Sequence, residues 1–342
     1  MIWAHQPVLQ IVLPLMAAPL CVILRSALAG WLLALLMTWG ALAASLMLML
    51  HVLRYGPISY AIGNWAPPWG IEYRIDLLSA LLLVTVSTVG ALSMVFARKS
   101  VASEVAPDRI YLFYAMYLLC FTGLIGIPIT GDAFNLFVFL EIASLSSYVL
   151  ISLGRDRRAL MAAFRYLIMG TLGATFYIIG VGLMYMMTGT LNIADLAQRI
   201  PEMLHVRTIQ VALAFLTVGI SLKLALFPLH LWLPNAYAFA PTVVTIFLAA
   251  TATKVALYAL IRIVYTVFSG PVVFAALPIN EMLVALGLVS MLGGACPPSG
   301  RPMSSACWRF PASRRSATWF LAWDWRSRRV SPAALCTSSI TR

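Results

Sequence analysis

TIQVALAFLTVGISLKLALFPLHLWLPNA, residues 208–236, decides the fold. Lys223 is its one charged residue, and a bilayer is crossed by about 20 apolar residues. Pro228 and Pro234 lie inside the stretch, and a proline removes a backbone N–H and clashes with the preceding turn. The segment therefore reads as a membrane helix broken part-way. Such a break is tolerated where the backbone is packed in protein or lines a cavity, and it marks sites in transporters. The break at Pro228 is expected to leave room for water beside Lys223.

The rest of the chain has the same character. Of its 342 residues 62% are hydrophobic and only 10% charged, and the mean hydropathy is +0.93. A soluble domain carries about 45–50% apolar and about 25% charged residues, so a water-soluble body is excluded. The apolar runs lack strand-like alternation, which points to an all-α, polytopic transmembrane helix bundle rather than a barrel. Nine spans are expected at about 7–24, 28–53, 77–97, 110–129, 132–153, 162–187, 208–236, 241–267 and 271–295. Stretch 54–76 reads as a polar connection, and 190–206 as a short amphipathic helix at the interface.

The net charge of +12 is unevenly spread. Residues 1–295 hold 15 Lys and Arg against 10 acids, whereas 296–342 hold eight Arg and one acid, Asp324. The membrane part is only mildly basic, so no nucleic-acid partner is expected. On alternate connections, seven Lys/Arg fall on the side of Arg25, Arg98, Lys99, Arg109, Arg155, Arg157 and Arg158, and five on the side of Arg54, Arg74, Arg199, Arg207 and Arg262. That bias puts loop 154–161 in the cytoplasm and the N-terminus outside it, in a multi-pass protein of the cell membrane.

Three charges stand near the centres of their spans: Glu141 in 132–153, Lys223 in 208–236 and Lys254 in 241–267. A charge at helix centre costs roughly 2.5–3.5 kcal/mol on insertion scales and marks a functional site by default. A buried pair that only fixes helix packing is the alternative. A buried carboxylate stays ionised while an ammonium is close, so a small displacement can switch it, and lysine adapts readily to such sites. His230, seven residues after Lys223, would share its face if the helix ran on, and beside a proline break it is a candidate proton relay. These four residues form the candidate site.

Other features have simpler readings. Asp132 suits a helix N-cap. Trp31, Trp39, Trp65, Trp69 and Trp232 suit interface or packing positions, and Gly170, Gly173, Gly180 and Gly182 suit close helix contacts. Arg165 is a second possible counter-ion for Glu141, although snorkelling at the span end explains it as well. No Walker loop, GxGxxG, HExxH, CxxC or Ser/His/Asp arrangement is present, so no cofactor, no metal and no catalysis by the chain alone are expected.

The stretches TGDAFNLFVFLEIASLSSYVLISL (130–153) and LKLALFPLHLWLPNAYAFAPTVVTIFLAATATKVALYALIR (222–262) resemble one family. It is the antiporter-like, proton-translocating subunits shared by Mrp cation/proton antiporters, respiratory complex I and membrane hydrogenases. The likeness covers about residues 75–295. FNLFVFLEIASLSSY, WLPNAYAFAP and NWAPPWGIEYRIDLLSA (64–80) look most like the D-type member of the Mrp branch. The resemblance implies an axis of ion transfer through Glu141, Lys223 and Lys254, with His230 as the histidine of the broken helix. It also implies partner subunits in a hetero-oligomeric membrane complex, with protons and sodium as the ions moved. The alternative from the same resemblance is a proton-pumping membrane-arm subunit of NADH-quinone oxidoreductase or a hydrogenase.

Family members carry about fourteen helices as two inverted five-helix repeats, and the second repeat is expected after span nine. Residues 296–342 are instead Arg-, Ser- and Pro-rich and carry no span. PMSSACWRF (302–310) has a coding solution that, read one frame over, gives Asp-Val-Lys-Arg-Met-Leu-Ala-Phe, which resembles the family's continuation. The expectation is a membrane bundle over 1–295 followed by an out-of-frame, unpacked basic tail, in a truncated copy that is inactive or partly so.

Overall fold

The computed structural model describes residues 5–270, 274 and 279–293. The helices are α1 (Gln6–Leu24), α2 (Ala27–Tyr55), α3 (Leu77–Glu104), α4 (Ile110–Ile129), α5 (Ala133–Ser152), α6 (Arg157–Thr188), α7 (Ile193–Arg199), α8 (Arg207–Leu224), α9 (Leu233–Phe239), α10 (Thr242–Ile261) and α11 (Ile279–Gly293). Eight helical stretches are long and apolar enough to cross a membrane, all but α7, α9 and α11 contributing. The ninth expected span, 271–295, is described as α11 over fifteen residues, and its remainder lies outside the described residues. So does the expected tail, 296–342.

Helix starts follow the polar residues that precede them, because the first N–H groups of a helix need acceptors. Asp76 accepts from Ser79 N at 2.9 Å, Asp132 from Asn135 N at 2.7 Å, and Asp156 from Arg158 N at 2.9 Å. α3 runs on to Glu104, past the expected end at 97. The extra turns carry Arg98 and Lys99 on a helix end, where long cationic side chains reach the interface.

Stretch 54–76 is more ordered than a plain connection. Strand β1 (Ile58–Ala61) pairs antiparallel with β2 (Glu72–Ile75), in the register Ile58 opposite Ile75. Tyr73 bridges to Thr130, and Asp132 to Asn192, so the hairpin, the α4–α5 turn and the start of α7 form one end of the bundle. At its tip Trp65 and Trp69 are 72% and 89% exposed, as expected of interface aromatics. The opposite end joins the α3–α4 and α5–α6 connections to the end of α9, where Arg155 donates to the Val105 carbonyl at 3.4 Å and Arg158 lies over the Phe239 ring. The connections thus alternate between two ends, as a chain crossing eight times requires.

α4 is the central helix: 72% of its span is buried, against 28% of α2. It packs on α1, α2, α3, α5 and α10. α6 and α8 approach so closely that a Cβ on Gly219 would lie 2.7 Å from the Gly173 carbonyl oxygen. Small residues allow this in a membrane, where packing rather than water drives association. Gly182, by contrast, faces open space, so the close-contact reading fails there.

At the hairpin end a polar network ties α3, α4 and α10 together. Arg262, at the start of a π-helical turn (Arg262–Val267), donates to Asp76, to Ser79 Oγ at 3.0 Å and to Tyr258 Oη at 2.8 Å. Tyr258 also donates to the Pro128 carbonyl at 3.3 Å. Burial pushes the Asp76 carboxyl up, but the hydrogen bond and charge of Arg262, with the bonds from Ser79, outweigh it and hold the group below its ordinary value. A carboxyl held lower in the folded state adds stability above its unfolded value, and that contribution disappears as pH falls through the folded value. The melting-temperature gap between the wild-type chain and Asp76→Asn should therefore stay constant from about pH 8 to about pH 5 and close below about pH 4. A gap that persists unchanged in acid would remove Asp76 from this network.

Candidate functional site

The site is organised by the end of α8. A proline in a helix lacks the N–H that would bond the carbonyl four residues back and crowds that carbonyl. For Pro228 that residue is Leu224, and α8 ends there. Ala225 turns left-handed at φ 56°, closing the helix with bonds from Ala225 N to the Leu222 carbonyl at 3.2 Å and Leu226 N to the Ser221 carbonyl at 3.0 Å. Turns carry the chain to α9, where Pro234 sits in the first turn, a place where its missing N–H costs nothing. Trp232 fastens the break: its Nε1 donates to the Leu222 carbonyl at 3.2 Å, and its ring stacks on Tyr166 at 4.0 Å and 2°.

This places Lys223 differently from the sequence reading. The expected break is present, but the helix stops at Leu224, so Lys223 lies in the last turn of α8 rather than near the middle of its span. The carbonyl end of a helix carries partial negative charge that favours a cation. Across the interface, Glu141 stands mid-way along α5. Lys223 Nζ donates to Glu141 Oε1 at 2.8 Å and to Ser144 Oγ at 2.5 Å. The two charged side chains are only 7% and 19% exposed. Two donors of the ammonium are thus held by a carboxylate and a hydroxyl, the compensation a buried charge needs. The counter-ion of Glu141 is Lys223; Arg165 is exposed.

The other two candidates stand apart from this pair. Lys254 is on α10, which packs on α8, α3 and α4, and its ammonium donates to the Ala249 carbonyl. Tyr258 and Arg262 follow it at four-residue steps, on the same helix face. His230 lies in the turns between α8 and α9, stacked on Phe227 at 5.5 Å, with its Nδ1 buried and unbonded. Because α8 ends at Leu224, His230 does not continue the face of Lys223.

A narrow cleft lined by Phe137, Gly173, Tyr177 and Gly219 opens on Glu141 and Lys223. It has no room for a water molecule, so the space for water expected beside Lys223 is not found in it. Phe137 and Tyr177 stack at 6.4 Å and 7° and, with the Gly173–Gly219 contact, close the pair off. Sequence reasoning missed Ser144 and gave Trp232 only an interface or packing position. The signal for Ser144 was its spacing: three residues after Glu141, on the same face of α5.

Residues 130–297 match the family described as NADH:quinone oxidoreductase/Mrp antiporter, TM. The chain is 43% identical over 295 residues to NADH-quinone oxidoreductase subunit N of Desulforudis audaxviator, covering 85% of this chain and 57% of that one. It is 33% identical over 254 residues to the D-type component of the Na(+)/H(+) antiporter of Alkalihalophilus pseudofirmus, covering 74% and 50%. The chain therefore spans about half the length of the curated relatives it matches. Among solved structures it resembles a chain of an archaeal membrane-bound sulfane sulfur reductase, with TM-score 0.84, 30% identity and coverage of 92% and 64%. It also resembles a chain of the Mrp complex from Dietzia, with TM-score 0.82, 26% identity and coverage of 94% and 58%. Over residues 130–297 the chain matches the NADH:quinone oxidoreductase/Mrp antiporter transmembrane family, and both branches are represented among its relatives.

Proposed function

We propose that the chain is an ion-translocating subunit of a multi-subunit Mrp-type monovalent cation (Na+)/proton antiporter, moving protons along an axis through Glu141, Lys223 and Lys254, with His230 as a relay. The observation that carries the reading is the Lys223–Glu141 ion pair at 2.8 Å, buried between two membrane helices at the break in α8. A buried carboxylate is favoured in its charged form by a neighbouring ammonium and disfavoured by desolvation. Motion of the lysine therefore alternates which charge the site tolerates, and with it whether a proton is held. A component of a Na(+)/H(+) antiporter is among the relatives, which supports sodium as the exchanged cation.

A second reading has its own support. The 43% identity to an NADH-quinone oxidoreductase subunit N favours a proton-pumping place in the membrane arm of a redox-driven complex. The same pair would serve either assembly, since the proton step is shared and only the driving reaction differs.

In inverted vesicles carrying a frame-corrected, full-length form of the protein assembled with its partner subunits, sodium should drive proton exchange without an electron donor. Glu141→Ala and Lys223→Ala should each abolish it, His230→Ala should slow it, and Lys254→Ala should impair it. Proton movement that appears only on adding NADH and quinone would select the second reading. Normal exchange by intact Glu141→Ala complex would reduce the ion pair to a packing device.

The orientation we infer puts the Arg155, Arg157 and Arg158 end in the cytoplasm and the hairpin end, with the N-terminus, outside, in the cell membrane. Three Arg within four residues support it, because cationic loops are retained on the cytoplasmic side. In a background without native cysteines, an impermeant thiol reagent applied to whole cells should label Ala66→Cys and not Arg157→Cys. Labelling of position 157 from outside would invert the assignment.

A further inference from the structure

At the hairpin end, Tyr258, Ser79 and Asp76 form a line from the interior of the bundle toward its surface. Tyr258, in α10, and Ser79, in the first turn of α3, are buried. Asp76, which precedes α3, has a side chain 30% exposed. Tyr258 Oη and Ser79 Oγ lie 2.7 Å apart, and either can be the donor. The Ser79 side chain also bonds the Asp76 carboxyl. Lys254 stands four residues before Tyr258 on the same face of α10, about 6 Å deeper at 1.5 Å per residue.

The hydroxyl protons of this line have two self-consistent arrangements. A serine or tyrosine hydroxyl donates once and accepts through its lone pairs. Arg262 donates to Tyr258 Oη at 2.8 Å and to Ser79 Oγ at 3.0 Å, which leaves each oxygen room to accept once more. In the first arrangement Tyr258 donates to Ser79, and Ser79 donates to the Asp76 carboxylate. In the second Ser79 donates to Tyr258, and Tyr258 donates to the Pro128 carbonyl at 3.3 Å. That carbonyl is free to accept because it lies in the last turn of α4, where carbonyls lack an intrahelical partner. Each hydroxyl proton is bonded in both arrangements, and they differ only by rotation of two O–H bonds. A tie between helices needs one such arrangement; a proton relay needs both.

We propose that Tyr258, Ser79 and Asp76 form a proton wire joining the surroundings of Lys254 to the hairpin end of the bundle. The inference rests on the ion-translocating reading above and adds a branch apart from the Glu141–Lys223 pair. Starting from the first arrangement, a proton arriving at Tyr258 Oη sends the hydroxyl's own proton to Ser79 Oγ. Ser79 passes its proton to the Asp76 carboxylate, so one proton enters, one leaves and both hydroxyls stay neutral. The passage leaves Ser79 donating to Tyr258, which is the second arrangement. The Asp76 carboxyl releases its proton at the surface, and rotation of the two hydroxyls restores the first. Arg262, bonded to Tyr258, Ser79 and Asp76, keeps the line in register, and its charge favours return of Asp76 to the carboxylate. Lys254 here donates to the Ala249 carbonyl, so its ammonium or a water molecule must span one turn to reach Tyr258.

The test measures sodium-driven proton exchange in H2O and in D2O, in inverted vesicles carrying the frame-corrected, full-length form in its assembled complex. Ser79→Ala and Tyr258→Phe each cut the wire at one link and leave the Arg262–Asp76 pair in place. Each should lower the maximal rate about tenfold or more, since a positioned proton-transfer group is worth about 10²–10⁴-fold. The ratio of rates in H2O and D2O should rise in both variants, because proton passage becomes the slow step. The sodium concentration for half-maximal rate should not change, and Ser79→Thr, which keeps a hydroxyl, should keep most of the rate. Should Ser79→Ala fail to assemble, Tyr258→Phe decides alone. A wild-type rate in either variant, with Glu141→Gln inactive, overturns the wire and leaves the ion-translocating reading standing. A lower rate at the wild-type H2O/D2O ratio also overturns the wire, because a lost tie between helices explains it. A full rate in Glu141→Gln overturns the ion-translocating reading and the wire with it.

Discussion

The bond between Lys223 and Glu141 is the constraint around which this bundle is arranged. Charge inside a membrane is tolerated when it is paired and hydrogen-bonded, and the surrounding structure supplies those conditions. α8 stops one residue after Lys223 because Pro228 cannot bond Leu224. The ammonium consequently sits against a carbonyl-rich helix end. α5 contributes the carboxylate from its middle and a hydroxyl three residues later.

Holding two helices at that distance requires the rest of the packing. The glycines at 173 and 219 bring α6 against α8 and help line the cleft over the pair, which Phe137 and Tyr177 close. The Trp232 indole secures the carbonyl of Leu222 and stacks on Tyr166, so the broken segment is tied to both α8 and α6. Tyr148 packs edge-on against the same tyrosine. The ion pair and the break therefore share a common wall of aromatic rings. At the hairpin end the Arg262–Asp76 network anchors α10, the helix that carries Lys254, to α3 and α4.

Much of this was legible in the sequence, for identifiable reasons. Spans are written by long apolar runs, and the start of α5 by Asp132. The depth of Glu141 and Lys254 followed from their place in those runs. The break was legible from Pro228, but not where the helix would stop: α8 ends at Leu224, four residues earlier, so Lys223 is at a helix end although it is near the middle of 208–236. His230 was expected on the face of Lys223 only if the helix ran on, and it does not, so His230 lies in the turns after α8. The hairpin was missed because four-residue strands such as ISYA and EYRI give too short an alternation to stand out from a polar connection. Ser144 was overlooked because a serine in a membrane helix ordinarily bonds its own backbone, as Ser144 also does. Only the position of the lysine, a tertiary fact, gives it a second role.

The most direct test of the central claim is a double-mutant cycle on the melting temperature of the purified chain in detergent, using Glu141→Gln, Lys223→Met and the pair together. Removing one partner leaves a buried charge uncompensated, whereas removing both leaves none. The expected result is that each single variant melts below the wild type and the double variant melts above at least one of the singles. Strictly additive losses, with the double variant lowest, would contradict the claim that these two side chains act as one interaction.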